Sequence, residues 1–191
     1  AATSHAVYGC DVQQAVLDDA ITDGAIDGTG TMTDDTYDMI ILCLHQRIAI
    51  QMVQEALPKI PAGTILVDTC GLKGRMVRDL TYRCRKAGVR YVGTHPMAGR
   101  EKNGYYASIP NLFQNANLIV TPVDGTDEAA LDTVKELADQ MGFGKIVTAT
   151  PMWHDNMIAY TSQLAHVVSS SYVKDFCMDD ALSFSGGSFQ D

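Results

Sequence analysis

The chain has 191 residues, of which 46% are hydrophobic and 19% charged, a make-up with room for one substantial core, or for one domain and part of another. Its 14 basic against 23 acidic residues give a net charge of −9, which argues against nucleic acid or an anionic membrane surface as partner. No apolar run reaches the ~18 residues of a membrane span, no signal-peptide pattern precedes the first strand, and the five cysteines show neither pairing spacings nor a C-x-x-C; reduced thiols in a cytoplasmic protein are expected.

His5 to Cys10 reads as a short strand ending in Asp11, and the helix after it carries Leu17, Ala20 and Ile21 on one face, with Gly24 placed to stop it. In the polar stretch over 24–36, the run from Gly28 to Thr33 lacks the third glycine and the preceding strand of a phosphate-binding turn, and reads as a plain turn. Met39 to Leu44 is a continuous apolar run of the kind found in parallel strands covered on both faces. Ala49, Met52, Val53 and Ala56 mark a helix ended by Pro58 and Pro61. Thr64 to Val67, closed by Asp68, is the next strand, and Met76 to Ala87 the next helix. Strands at Val89–Val92, Asn117–Val123 and Lys145–Ala149 follow, with a helix carrying Ala130, Val134, Leu137 and Met141 before the last. Six strands alternating with helices predict an α/β, Rossmann-like, doubly wound and mainly parallel sheet over residues 1–150. From Pro151, with Thr150 as N-cap, the apolar positions run to about Val173 without a strand signal, so residues 151–191 are expected to begin an all-α domain.

In dinucleotide-binding folds the acidic residue closing the second strand contacts the adenosine ribose and lies about 20 residues after the glycine fingerprint. Asp11 fits that role, and a carboxylate there favours NAD over NADP because it repels a 2′-phosphate. Counting back from Asp11 runs off the front of the chain, so the sheet is expected to lack its first strand and the sequence reads as an internal fragment. Leu44, His45, Thr69, Cys70 and Gly71 fall at carboxyl ends of strands, where a cofactor passes.

The stretch from Thr94 to Gly104 organises the rest. It sets His95 at the carboxyl end of a buried strand, and Pro96, Gly99 and Gly104 keep it from continuing as a helix. The loop presents one imidazole and one carboxylate, Glu101, which taken alone could equally face water. Lys73 to Arg90 holds seven of the 14 basic residues; a dianionic ligand could explain them, but a solvated helix face is the simpler reading. His154 and His166 lie about 120° apart on an ideal helix, with Thr161 within about 20° of His154, so they do not form a simple ligand pair and no metal is expected.

Together, Thr94-His-Pro-Met-Ala-Gly-Arg-Glu101, Asn111-Leu-Phe, Val120-Thr-Pro and the segment from His154-Asp-Asn-Met to Ser162-Gln-Leu-Ala-His166 closely resemble the prephenate and arogenate dehydrogenase family over nearly the whole chain. The resemblance implies NAD-dependent oxidation of a cyclohexadienyl acid in tyrosine biosynthesis: hydride leaves the carbinol carbon, the ring carboxylate departs as CO2, and the product is 4-hydroxyphenylpyruvate from prephenate or tyrosine from arogenate. It implies that His95 takes the ring hydroxyl's proton, that Glu101, His154, Ser162, Gln163 and His166 belong to the substrate pocket, and that the helical domain makes a homodimer. For His166 a helix-packing role stays open. Many relatives carry serine at the position of Gly71, where it bonds the catalytic histidine or substrate, and often proline at that of His45. Two other readings stay open: a catalytically silent binding or dimerisation module, and a β-hydroxy-acid dehydrogenase of the same broad fold.

Overall fold

The computed structural model describes residues 4–34, 37–100, 102 and 104–174. In chain order the elements are β1 (Tyr8–Gly9), α1 (Gln14–Thr22), β2 (Gly28–Thr29), β3 (Met39–Leu42), α2 (Gln46–Ala56), β4 (Ile65–Asp68), α3 (Gly74–Lys86), β5 (Arg90–Pro96), β6 (Asn117–Val120), α4 (Glu128–Gln140), β7 (Lys145–Thr148), α5 (Pro151–Ile158), a π-helical turn (Ala159–Gln163) and α6 (Leu164–Val173). The fold is α/β with a parallel-dominated sheet. Strands β3-β4-β5-β6-β7 pair in sequence order, all parallel except β5 with β6, and β1 pairs in parallel with β2 in a two-stranded sheet.

The period-two alternation of side chains explains why β4 is buried throughout. Leu66 and Tyr91 face one side, where Ala49 and Val53 of α2 and Met76, Leu80 and Cys84 of α3 cover them. Ile65, Val67 and Val92 face the other, against Leu118, Val120 and the α4 residues Ala130, Val134 and Ala138. Burying each of the large side chains contributes roughly 1.5–3 kcal/mol. Gly93 is required where it stands, because a Cβ there would come within 2.7 Å of Thr121 Oγ1 and 3.2 Å of Val77.

Several expectations are corrected. The run from Gly28 is no plain turn: Gly28 and Thr29 form a seventh strand, in register with Tyr8 and Gly9. It is held by backbone pairing extended by Asp27 N–H to Val7 O (2.7 Å) and Gly30 N–H to Gly9 O (3.0 Å), which needs no apolar signature. Ile21 is 43% exposed while Leu17 and Ala20 are buried, and on α4 Ala138, not Leu137, completes the buried stripe. The helix starting at Pro151 is capped as expected, with Trp153 N–H donating to Thr150 Oγ1 (3.2 Å). The π-helical turn at Ala159–Gln163 breaks the 100° step assumed between His154 and His166, so their ideal-helix angle does not hold. By internal contacts the chain divides into one compact unit ending at His154 and a second beginning at Asp155.

Candidate active site

The geometry of the site begins with strand register. Leu42, Asp68 and Gly93 lie side by side at the ends of β3, β4 and within β5. Strand β5 runs on past its neighbour, so Thr94 and His95 stand just above Asp68 at the carboxyl rim. Thr94 Oγ1 donates to Asp68 O (2.6 Å), tying the two strands together.

Beneath His95 lies a fully buried ion pair that the sequence reading did not single out. Lys73 Nζ donates to Asp68 Oδ1 and to Thr94 O, the carbonyl of the peptide leading into His95. Asp68 Oδ1 also accepts from Cys70 N–H (2.9 Å), and Oδ2 accepts from Tyr91 Oη (2.6 Å). Neither ionic side chain of the pair is exposed at all. This corrects the reading of Lys73 as part of a solvated basic face; Arg75 and Arg78 do belong to such a face, at 51% and 72% exposure. A cation at the start of α3 runs against the helix dipole, and that misfit was the one sequence signal that Lys73 has another task. Burial, with the nearby Asp68 charge second, raises the Tyr91 phenol well above its ordinary range and pushes the Cys70 thiol up to about 12, so neither ionises near neutrality.

His95 and His154 meet directly. His95 Nδ1 and His154 Nε2 are 2.9 Å apart, with the rings edge to face at a centroid distance of 5.1 Å. His154 is 1% exposed, whereas His95 is half-buried. The other edge of the His95 ring faces the turn between β4 and α3: a Cβ added to Gly71 would lie 3.9 Å from both Nε2 and Cε1. The structure thus brings together His95, His154 and Gly71, with Cys70 and Thr69 on the same turn. The Cys70 thiol donates to Leu44 O (3.4 Å) and Thr69 Oγ1 to Leu42 O (3.1 Å), which fixes the β3 and β4 exits against each other.

The remaining candidates fall elsewhere. His45 is exposed and stands at the N-cap of α2 without a side-chain cap bond. Asp11 is exposed just beyond β1, its Oδ1 accepting from Gln13 N–H (2.8 Å). Glu101 lies outside the described residues. Ser162 and Gln163 sit in the π-helical turn and His166 on α6; Gln163 and His166 border a cavity of about 290 Å³ with Val167, Ser170, Ser171 and Lys174. No group of three metal-ligating side chains occurs among the described residues, and no described helix is long and apolar enough to cross a membrane.

A sheet covered by helices on both faces, with a paired histidine at the carboxyl rim of its parallel strands, defines the class: a Rossmann-like α/β protein of the nucleotide-binding type. The chain belongs to the prephenate dehydrogenase family, its residues 1–148 matching the family model described as "Prephenate dehydrogenase, nucleotide-binding domain". It is 30% identical over 174 residues to cyclohexadienyl dehydrogenase of Zymomonas mobilis, covering 84% of this chain and 58% of that one. With prephenate dehydrogenase of Bacillus subtilis it shares 30% over 132 residues, 66% of this chain and 35% of the relative. Among solved structures, prephenate dehydrogenase of Aquifex aeolicus in complex with hydroxyphenyl propionate and NAD+ matches with a TM-score of 0.79 at 26% identity, over 98% of this chain and 64% of that one. Synechocystis arogenate dehydrogenase matches in fold, with a TM-score of 0.82 at 22% identity over 98% and 69%. The chain therefore spans just over half the length of the Zymomonas relative.

Proposed function

We propose that the protein works in NAD-dependent oxidative decarboxylation of prephenate to 4-hydroxyphenylpyruvate. The observation that carries this reading is the His95–His154 pair, placed at the carboxyl rim inside the two family motifs. NAD, when bound, supplies the hydride acceptor. Asp11 fits the adenosine ribose, since an exposed carboxylate just past β1 can accept bonds from two hydroxyls and disfavours a 2′-phosphate, while Leu44, His45, Thr69, Cys70 and Gly71 border the cofactor's course along the rim. His95 takes the ring hydroxyl's proton as hydride leaves the carbinol carbon, and the electrons of the breaking carbon–carboxylate bond enter the ring as CO2 departs. A neutral imidazole suits that task near neutral pH. The family resemblance assigns Glu101, His154, Ser162, Gln163 and His166 to substrate binding. Arogenate is the alternative substrate, and the relative named cyclohexadienyl dehydrogenase favours keeping both in view. The protein acts in the cytoplasm, as a homodimer formed through its helical segment.

The test is turnover of prephenate and of arogenate with NAD and with NADP, on the wild type and on His95→Asn. Loss of a general base lowers kcat by roughly 10²–10⁴-fold, with KM little changed. A near wild-type rate in the variant would remove His95 from the chemistry, and turnover of neither acid would remove the reaction itself.

A further inference from the structure

The pairing of β4 with β5 ends at Asp68 opposite Gly93, so Thr94 and His95 lie just beyond it. On their other side β6 pairs with both, Thr94 opposite Val120 and His95 opposite Ile119. That fixes them to β6 but not to the turn leaving β4. Yet this turn is what the His95 ring stands against, since a Cβ on Gly71 would lie 3.9 Å from its Nε2 and Cε1. The Asp68 carboxylate spans the gap. Its Oδ1 accepts from the N–H of Cys70, the residue before Gly71 (2.9 Å), and from Lys73 Nζ, which donates also to Thr94 O, the carbonyl leading into His95. Its Oδ2 accepts from Tyr91 Oη (2.6 Å), and the Asp68 carbonyl accepts from Thr94 Oγ1 (2.6 Å). One residue thus holds the turn by an amide and the peptide before His95 by a cation and a hydroxyl. Both side chains of the pair are fully buried. Replacing such a pair by apolar groups of similar volume is often neutral for stability. A satisfied buried network does supply a single, rigid geometry.

We infer that Asp68 and Lys73 are positioning residues for His95: their ion pair sets the spacing between its imidazole and the Cys70–Gly71 turn where strand pairing has ended. The catalytic meaning of that spacing rests on the proposed role of His95 as proton acceptor. Neither residue touches the reacting atoms. They decide where the imidazole stands on the rim, and a displacement of about 1 Å in such a group can cost about 10²-fold in rate.

The test is the double variant Asp68→Asn with Lys73→Met in the full chain. It removes both charges together, so no ion is left unpaired, and the amide at position 68 can still accept from Cys70 N–H and donate to Tyr91 Oη. The link to Thr94 O is what it breaks. The readout is the nuclear Overhauser contact between the His95 ring Hε1 and the Gly71 α-protons, with His95→Asn used for assignment. The contact is expected in the wild type and lost or weakened in the double variant, while a thermal melt reports stability separately. A pair that serves stability alone would lower the melting temperature and leave the contact intact. An unchanged contact overturns the inference, whether or not the protein turns over prephenate. Where the wild type does turn it over through His95, kcat falls about 10²-fold in the double variant with KM little changed, and an unchanged kcat there also overturns it. Should the double variant not fold, hydrogen exchange of the wild type decides. The Cys70 amide then exchanges as slowly as those of β4, and exchange at the rate of an open turn overturns the inference.

Discussion

Asp68 and Lys73 show how much of the site rests on residues that never meet a ligand. Taking two ions out of water costs several kcal/mol each, and their attraction offsets this only when the remaining donors and acceptors are satisfied. Here the Cys70 amide and the Tyr91 hydroxyl complete the carboxylate, and the Thr94 carbonyl takes a further ammonium proton. Lys73→Met leaves that carboxylate buried without its cation and is expected to cost about 3–5 kcal/mol, read as a lower urea midpoint. A variant within about 1 kcal/mol of wild type would mean that the carboxylate is accommodated some other way. In the sequence Lys73 was one of seven basic residues in a single stretch, and only its misfit with the helix dipole at the start of α3 set it apart from the arginines that face solvent. Its fate was set by β4 and β5, which deliver Asp68 and Thr94 from five and twenty-one residues away. His95 was legible because a strand, a proline and two glycines frame it within ten residues.

Among the elements, α4 has the most complete local instructions. Asp127 is its N-cap, accepting from Ala130 N–H (2.8 Å), with Glu128 in the first turn where the helix dipole favours an acid. Asp127→Ala is expected to lower stability by roughly 0.5–2 kcal/mol, measured by thermal denaturation. No change would mean that the core face alone holds this end, since the variant loses the Arg90 contact to the same carboxylate (3.8 Å) together with the cap. Two other elements carry no such instructions. Strand β2 is a Gly-Thr pair recognisable only by its partner, and the π-helical turn within 151–173 departs from α geometry without a proline or glycine to announce it. Apolar spacing fixes where a helix runs but does not register one residue added to a turn.

Across the whole molecule, the main cluster buries several groups whose ionisation folding suppresses. Burial pushes the thiols of Cys70 and Cys84 up to about 12 from an ordinary value of 9.0, and raises the Tyr91 phenol well above 10.0. Below about pH 8 the thiols are protonated in both states and add nothing to the pH dependence. Above it the unfolded thiols lose protons that the folded ones keep, so the unfolded state binds fewer protons and stability falls as pH rises. Tyr91 adds to the decline above its ordinary value. Urea midpoints are expected to fall between about pH 8 and 10.5, and a flat profile would contradict the burial of these groups. The same burial protects Cys70 and Cys84, whereas Cys10 and Cys43 are exposed.

The sequence by itself determined the alternation of strands and helices, the doubly covered sheet, the capped helix at Pro151 and the family, because each depends on periodicity, punctuation or motif within a short window. Only the tertiary structure decided which nitrogen of His95 meets His154, that Lys73 is an interior ion, and that Gly71 stands beside the imidazole. Those facts arise where chain segments 21 to 59 residues apart converge on one rim, and local spacing holds no record of such distances.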